Sequence, residues 1–317
     1  MSTGACSPPQ DESPAFGLIV LAIIGAETIV GAWINAFIVT VCCIDRLKNK
    51  SLGAVDRILL VLATNRFCFL ITGMLRLLCK TLSPKIYYSD FFYRGLKATL
   101  WFFISSNLWL AACLCLFYCL KIANFSHSLF VSLKLKISRA VPALLLSSAL
   151  LSFVNTTPFF GMIYTFQCNI PNATASGNVT TYQIDMHTNW GMLLFLCGFG
   201  FSVVFVIFVV SAILLLVSLW QHAWQLRDVL SSYTSPRMAA HVQAVKLITS
   251  FLITYLVNFV ALMVLLTNTF SEDSPLVFFC SVVLNACPTA HSVVLILTNP
   301  RFKKAFLQML QYGRCKW

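Results

Sequence analysis

Two oppositely charged residues lie deep inside apolar segments of this chain, where the chemistry open to them is a buried ion pair. Glu27 is eleven residues into the first long apolar segment, and Arg66 is eight residues into the second. These positions are about 16 and 12 Å from opposite faces of a bilayer core of about 30 Å, so the depths nearly meet. Because a charge at the bilayer centre costs about 2.5–3.5 kcal/mol, we predict a structural hub. In it Glu27 and Arg66 pair, or share a polar network with Asn35, although backbone or water could satisfy each one instead.

Residue patterns typical of enzymes are missing. The chain has no HExxH, GxSxG or P-loop sequence, and its apolar segments hold a single carboxylate, so a paired acid–base site is absent. Most of the 13 cysteines lie within apolar segments as small apolar residues, and no CxxC-type metal spacing occurs in a loop. We therefore predict a protein that is not an enzyme and needs neither a cofactor nor a metal.

The composition is that of a membrane protein. Of 317 residues, 59% are hydrophobic and only 10% are charged, against about 25% charged in soluble domains. Seven runs reach the roughly 20 apolar residues that a membrane helix needs, and they are continuous rather than alternating, which favours helices over barrel strands. We predict an all-α bundle of seven transmembrane helices over residues 16–298, with spans at about 16–43, 58–78, 96–120, 138–160, 189–221, 245–267 and 276–298.

The basic residues behind the net charge of +12 are concentrated in alternate loops, which indicates membrane topology rather than nucleic-acid binding. No Lys or Arg precedes the first span, and the long loop 161–189 also has none, whereas every second loop and the tail are basic. The first outer loop is the exception. The positive-inside bias places the N-terminus outside and the C-terminus in the cytosol. We expect a multi-pass protein of the plasma membrane that contacts membrane lipid and sterol.

The two ends and the longest outer loop carry further signals. Residues 1–15 lack the basic region of a cleavable signal peptide, so we expect an extracellular N-terminus and a first span that acts as the signal anchor. Asn172 and Asn178 begin glycosylation sequons on the predicted outer side. Asn299-Pro300 should end the seventh helix, and residues 299–317 should form a cytosolic amphipathic helix and tail, with Cys315 as a palmitoylation candidate.

Six short motifs, in order along the spans, resemble those of the bitter taste receptors (taste receptor type 2). The rhodopsin-class signatures at the ends of spans three, six and seven are missing, and Thr64-Asn65 stands before Arg66 where the family usually has Ser before the Arg. The matching motifs are Glu27-x-x-x-Gly31-x-x-x-Asn35, Leu62-Ala63-x-x-Arg66, FYCLKIANFS over 117–126, Ser218-Leu219-Trp220-Gln221-His222, His241-x-x-Ala244-x-Lys246 and His291-Ser292-x-x-Leu295-Ile296-x-x-Asn299-Pro300.

The resemblance implies a receptor for bitter small molecules that activates a gustducin-like heterotrimeric G protein. It assigns His291 to the conformational relay, together with the polar hub. It also implies that the basic ends of spans three, five and six face the G protein, although snorkelling and topology alone would explain their residue types. These basic residues are Lys121, His222 and Lys246.

Three residues are candidates for the ligand pocket in the outer half of the bundle. Trp101 is the best aromatic candidate in span three, but it is equally suited to an interfacial aromatic belt, and counting back from FYCLK puts the family's pocket Trp at Leu100. Asn258 falls where the family commonly has a ligand-facing aromatic residue, and Ser281 falls on a pocket-facing turn of span seven. With Asn and Ser in these places, the site should prefer uncharged ligands that form hydrogen bonds.

Two other functions stay open at this point. Another chemosensory receptor, such as a type 1 vomeronasal receptor, shares the architecture but matches the motifs less well. A transporter or channel is the alternative from a different class, although repeat halves and several buried charges are not visible in the sequence.

Overall fold

The computed structural model describes residues 14–49, 51–87, 89–122, 128–161, 163–171, 180–188, 190–229, 236–267 and 274–314. Within these ranges, seven helices are long and apolar enough to cross a membrane, which confirms the predicted seven-helix bundle. The elements in chain order are α1 Pro14–Asn49, α2 Ala54–Leu82, α3 Pro84–Tyr87, α4 Asp90–Ile122, α5 Ser128–Thr156, α6 Pro158–Gly161, β1 Ile163–Pro171, β2 Thr180–Thr188, α7 Trp190–Val229, α8 Pro236–Thr267, α9 Pro275–Thr298 and α10 Pro300–Arg314.

The helices continue past the ends of the apolar runs that predicted them. α1 ends at Asn49, with Arg46 and Lys48 in its last turn, and the 40-residue α7 is about 60 Å long. Lipid requires only that the apolar part be helical, and backbone hydrogen bonding then propagates the helix until a breaker or a turn intervenes. An apolar run therefore predicts the centre of its helix more closely than it predicts the two ends.

α4 is the central helix of the bundle. Of the residues in its apolar window, 61% are buried, against 22–44% in the other six membrane-spanning helices. It packs against α2, α5 and α7, and Leu108, Leu110 and Ala111 on it are almost fully buried. The outer faces of the bundle instead expose large apolar side chains such as Phe195 and Leu150, which is the pattern expected when lipid is the solvent.

A side-chain cap and a proline separate α9 from α10. α9 ends at Thr298. Asn299 follows with an extended backbone, and its Oδ1 accepts a hydrogen bond of 3.0 Å from the Arg301 amide. Pro300 follows as the first residue of α10, where a proline is compatible with the helix. The short helix that we predicted after the seventh span is therefore present, and Asn299 caps its start.

α10 is held against the adjacent ends of α1 and α2. Phe302 is fully buried, and the Phe306 ring packs edge-on against Phe37 with centroids 5.7 Å apart. Arg301 lies between two carboxylates: Nη2 is 2.8 Å from Asp56 Oδ1, and Nη1 is 3.3 Å from Asp45 Oδ2. The second approach is a charge contact rather than an aligned hydrogen bond, because Asp45 Oδ2 accepts none from a described residue. The opposite face of α10 is exposed.

A two-stranded antiparallel hairpin stands between α6 and α7, and the sequence did not indicate it. β1 and β2 pair from Ile163 with Thr188 to Pro171 with Thr180. Both strands are rich in Thr, Tyr and Ile, which favour extended backbone. The prediction of a loop over 161–189 is therefore wrong for these two segments. Apart from this hairpin, the regular structure in the described residues is helical.

Candidate functional site

Arg66 is the centre of a buried polar network. Only 3% of its surface is exposed, and it donates hydrogen bonds from α2 to two other helices. Nε donates to Asn107 Oδ1 on α4 at 3.0 Å, and Nη1 donates to Ser292 Oγ on α9 at 2.9 Å. Nη1 also lies 2.9 Å from His291 Nδ1, which must accept because a guanidinium only donates. Hydrogen bonds to a charged group are the strong ones, so this residue ties three helices together.

Ser292 extends the network to α1. Its Oγ donates to Asn35 Oδ1 at 2.9 Å and lies 3.1 Å from the Pro288 carbonyl oxygen, so the single hydroxyl proton chooses between these two acceptors. Asn35 in turn donates from Nδ2 to the Gly31 carbonyl oxygen at 2.8 Å. Asn35 and Ser292 are fully buried. Four helices, α1, α2, α4 and α9, therefore meet through one chain of hydrogen bonds.

The ion pair between Glu27 and Arg66 that the sequence suggested is wrong. Arg66 bonds instead to neutral side chains, and Glu27 Oε2 is buried without a hydrogen-bond partner among the described residues. Arg66 reaches α1 at the level of Asn35, which is eight residues and about 12 Å from Glu27 along the helix. Both helices extend past the ends of their apolar runs, so depths measured from the run ends place Glu27 and Arg66 at the wrong relative level. The alternative network with Asn35 contains Arg66 and leaves Glu27 out.

An aromatic group on α7 and α8 lies beside the network. The Phe251 ring is 4.0 Å from the His291 ring between centroids, and the Tyr255 ring stacks on Phe208 at 3.7 Å. Tyr255 Oη donates to the Leu108 carbonyl oxygen of α4 at 3.1 Å. α8 is thus coupled to α9 through His291 and to α4 through Tyr255. Sequence reasoning missed Tyr255 and Asn107, although each is a polar side chain within an apolar run, which is the signal that singled out Arg66.

A small internal cavity opens between α2, α4, α8 and α9, next to the Arg66 side chain. It has room for about one water molecule. Asn258 is on its α8 side, is 5% exposed, and has an Oδ1 atom with no hydrogen-bond partner among the described residues. The residues around the cavity are Arg66, Phe69, Ile104, Asn107, Asn258, Leu284 and Pro288. The cavity therefore brings one predicted pocket residue, Asn258, together with one predicted hub residue, Arg66.

The other two predicted pocket residues lie elsewhere. The Trp101 ring stacks on Phe159 at 4.6 Å and faces Phe201 at 6.0 Å, so it is part of an aromatic core with α6 and α7. Leu100, the alternative position, packs instead on Phe69 of α2. Ser281 is half-buried and donates to its own helix, to the Val277 carbonyl oxygen, at 2.8 Å. Neither Trp101 nor Ser281 lines the cavity.

Most residues that we predicted to face outside or the G protein cannot be placed by their side chains. Lys121 is exposed at the end of α4. His222 and Lys246 belong to α7 and α8, but their side chains lie outside the described part of the structure. Asn172, Asn178 and Cys315 also lie outside the described residues. Their roles stay predictions.

Seven membrane-spanning helices, a polar network that joins four of them and a small cavity beside it are features of a seven-transmembrane receptor. Residues 13–314 match the family model for taste receptor proteins, TAS2R. The chain is 33% identical to Taste receptor type 2 member 40 of Gallus gallus over 300 residues, which cover 95% of this chain and 96% of that protein. It is 32% identical to Taste receptor type 2 member 39 of Homo sapiens over 308 residues, or 97% and 91% of the two chains.

The chain therefore belongs to the taste receptor type 2 family, and the resemblance seen in its motifs is confirmed. It is a multi-pass membrane protein of the G-protein-coupled receptor class. Because the family consists of receptors, membership also confirms the prediction that the chain is not an enzyme.

Proposed function

We propose that this receptor detects bitter small molecules within the helical bundle and activates a gustducin-like heterotrimeric G protein. One observation carries the proposal beyond family membership: the unsatisfied Asn258 amide and the Arg66 guanidinium line the same cavity. A buried polar group without a partner is costly. A ligand that forms a hydrogen bond with Asn258 would therefore be stabilised at a point adjacent to the network of four helices.

The lining favours uncharged agonists that combine an apolar body with one or two hydrogen-bonding groups. Phe69, Ile104 and Leu284 supply apolar contact, and the Asn258 amide can both donate and accept. The cavity is too small for a drug-sized molecule, so agonist entry requires side chains or helices to move apart. In this proposal Trp101 and Ser281 contribute to the outer part of the opened pocket.

The signal would pass through the hub to the basic side of the bundle. A ligand shifts an equilibrium only by its difference in affinity between two states. Asn258 and Arg66 belong to helices α8 and α2, whose separation changes when the cavity opens, and this change alters the bonds of Arg66 to His291 and Ser292. With the N-terminus outside, Lys121, His222 and Lys246 face the G protein, Asn172 and Asn178 are available for glycosylation, and the exposed apolar faces contact lipid and sterol of the plasma membrane.

The test is a calcium readout in cells that express the full chain and a chimeric G protein, screened against bitter compounds. For any agonist found, Asn258→Ala should raise the half-maximal concentration about two- to twelvefold, because a hydrogen bond contributes about 0.5–1.5 kcal/mol. The matched control is Val257→Ala, which is next to Asn258 in α8 but lipid-exposed, and should leave the curve unchanged at equal surface expression.

Two outcomes would contradict the proposal. If Asn258→Ala and Val257→Ala give the same dose–response curve as the unmodified receptor, the cavity is not where agonists bind. If ligands evoke a current in the absence of any G protein, the chain acts as a channel or transporter and not as the proposed receptor.

A further inference from the structure

Among the described residues, Arg66 forms no ion pair with a carboxylate. The residue is 3% exposed, and the three side chains that it contacts through hydrogen-bond geometry, Asn107, His291 and Ser292, all serve as neutral acceptors. The ion contacts of Arg301 with Asp45 and Asp56 do not involve Arg66, and Glu27 Oε2 has no hydrogen-bond partner among the described residues. A buried charge is ordinarily paired with an opposite one, because neutral dipoles compensate it only in part.

Donor groups outnumber acceptors around the cavity next to Arg66. Nε and Nη1 are used in the network, whereas Nη2 makes no hydrogen bond to a described residue. Asn107 accepts from Arg66 through Oδ1, so its Nδ2 remains a donor. The Asn258 amide has no partner for Oδ1, and turning it to present Nδ2 breaks no hydrogen bond. The remaining lining residues, Phe69, Ile104, Leu284 and Pro288, offer apolar contact.

We propose that this cavity binds a small monovalent anion of chloride size, held between the Arg66 guanidinium and the side-chain amides of Asn107 and Asn258. The guanidinium disfavours a cation, and the small volume disfavours polyatomic anions. Chloride is larger than a water molecule, so the lining side chains must shift slightly outward to seat it. A water molecule would satisfy the donors but would leave the charge uncompensated. The anion would stabilise the closed arrangement of α2, α4, α8 and α9.

The experiment measures thermal unfolding of the purified full chain in detergent, without agonist or G protein. Buried thiols such as Cys42, Cys113 and Cys115 report unfolding when they become reactive to a thiol dye. Sodium chloride and sodium gluconate are compared at equal ionic strength. We expect a midpoint about 3 °C higher in 150 mM chloride, on the order expected for a dissociation constant of about 10 mM, saturating with chloride concentration, with bromide acting like chloride.

The decisive variant is Asn258→Asp, which places a carboxylate of the same shape next to Arg66. It should abolish the chloride increment and raise the midpoint in gluconate, because the carboxylate itself then compensates the guanidinium. Asn258→Leu, which removes a donor without adding a charge, should reduce the increment and serves as the readout if the aspartate variant does not fold. Val257→Ala, which faces lipid, should keep the full increment.

Equal midpoints in chloride and gluconate for the unmodified chain would overturn the proposal. A chloride increment that Asn258→Asp and Asn258→Leu both retain in full would overturn it as well, because it would reflect a general salt effect. Neither outcome bears on the bitter-agonist proposal, which is tested in cells by a different signal, so the two can fail separately.

Discussion

Removing the Ser292 hydroxyl tests whether the polar network stabilises the receptor. In Ser292→Ala, Arg66 Nη1 loses an acceptor at 2.9 Å, and Asn35 Oδ1 loses the donor at 2.9 Å that satisfies it. A hydrogen bond to a charged group contributes about 1.5–3 kcal/mol, and an unsatisfied buried acceptor costs about 1–3 kcal/mol. Arg66 keeps its contact with His291, and alanine fits the space of serine. We therefore expect a loss of about 3 kcal/mol in the free energy of unfolding.

The assay is thermal unfolding of the purified receptor, with Ser147→Ala as the matched control. At about 2 °C per kcal/mol for a chain of this size, Ser292→Ala should lower the midpoint by roughly 6 °C. Ser147 is exposed on α5 and donates only within its own helix, to the Leu144 carbonyl oxygen at 3.0 Å, so its variant should stay within about 1 °C. If the two variants have the same midpoint, the network does not hold the helices together.

Three further variants probe helix packing. Gly31→Ala places a Cβ against the Thr289 hydroxyl and 2.7 Å from Leu70 Cδ1, so it should cost about 1–3 kcal/mol in the free energy of unfolding. The control Gly95→Ala, whose Cβ would have nothing within 4 Å, should be nearly neutral. Equal unfolding midpoints for the two variants would contradict the close approach of α1 to α2 and α9. Arg301→Ala removes two partly exposed ion contacts, so it should cost only about 1 kcal/mol in the free energy of unfolding while hydrogen exchange in α10 rises. Unchanged exchange would show that apolar packing alone holds that helix. Trp101→Ala empties part of an aromatic stack and should cost about 3–5 kcal/mol in the free energy of unfolding, visible as reduced surface expression. Normal expression would contradict this packing role, whatever Trp101 contributes to the opened ligand pocket.

The single-helix features were predictable because each depends on a short stretch of residues. Continuous apolar runs predicted the seven helices, since lipid cannot satisfy an exposed backbone. Asn299-Pro300 predicted the break before α10, since proline lacks an amide hydrogen and Asn299 can cap the new helix. Arg66 stood out as a site residue by the cost of its charge in lipid. None of these inferences needed a partner helix.

The partners of these residues were not predictable in the same way. The side chains that contact Arg66 depend on the rotation and translation of α1, α4 and α9 relative to α2. An error of two helical turns along α1 places Glu27, instead of Asn35, at the level of Arg66. The position of Trp101 depends on which side of α4 faces α7, and Leu100, one residue away, points toward α2 instead. The pairing of β1 with β2 likewise depends on contacts between two segments, which neither segment predicts by itself.

The class of the protein, the number of helices, the end of the seventh and the identity of the buried charge can be read from the residues alone, because lipid acts on each helix separately. The packing of the helices adds that Arg66 bonds to Asn107, His291 and Ser292, that Glu27 stays outside this network, and that Asn258 shares a cavity with the guanidinium. Hydrogen bonds act over about 3 Å, whereas the apolar pattern places a helix along the membrane normal only to within one or two turns. The site therefore depends on the relative positions of the helices at a precision that only side-chain packing provides.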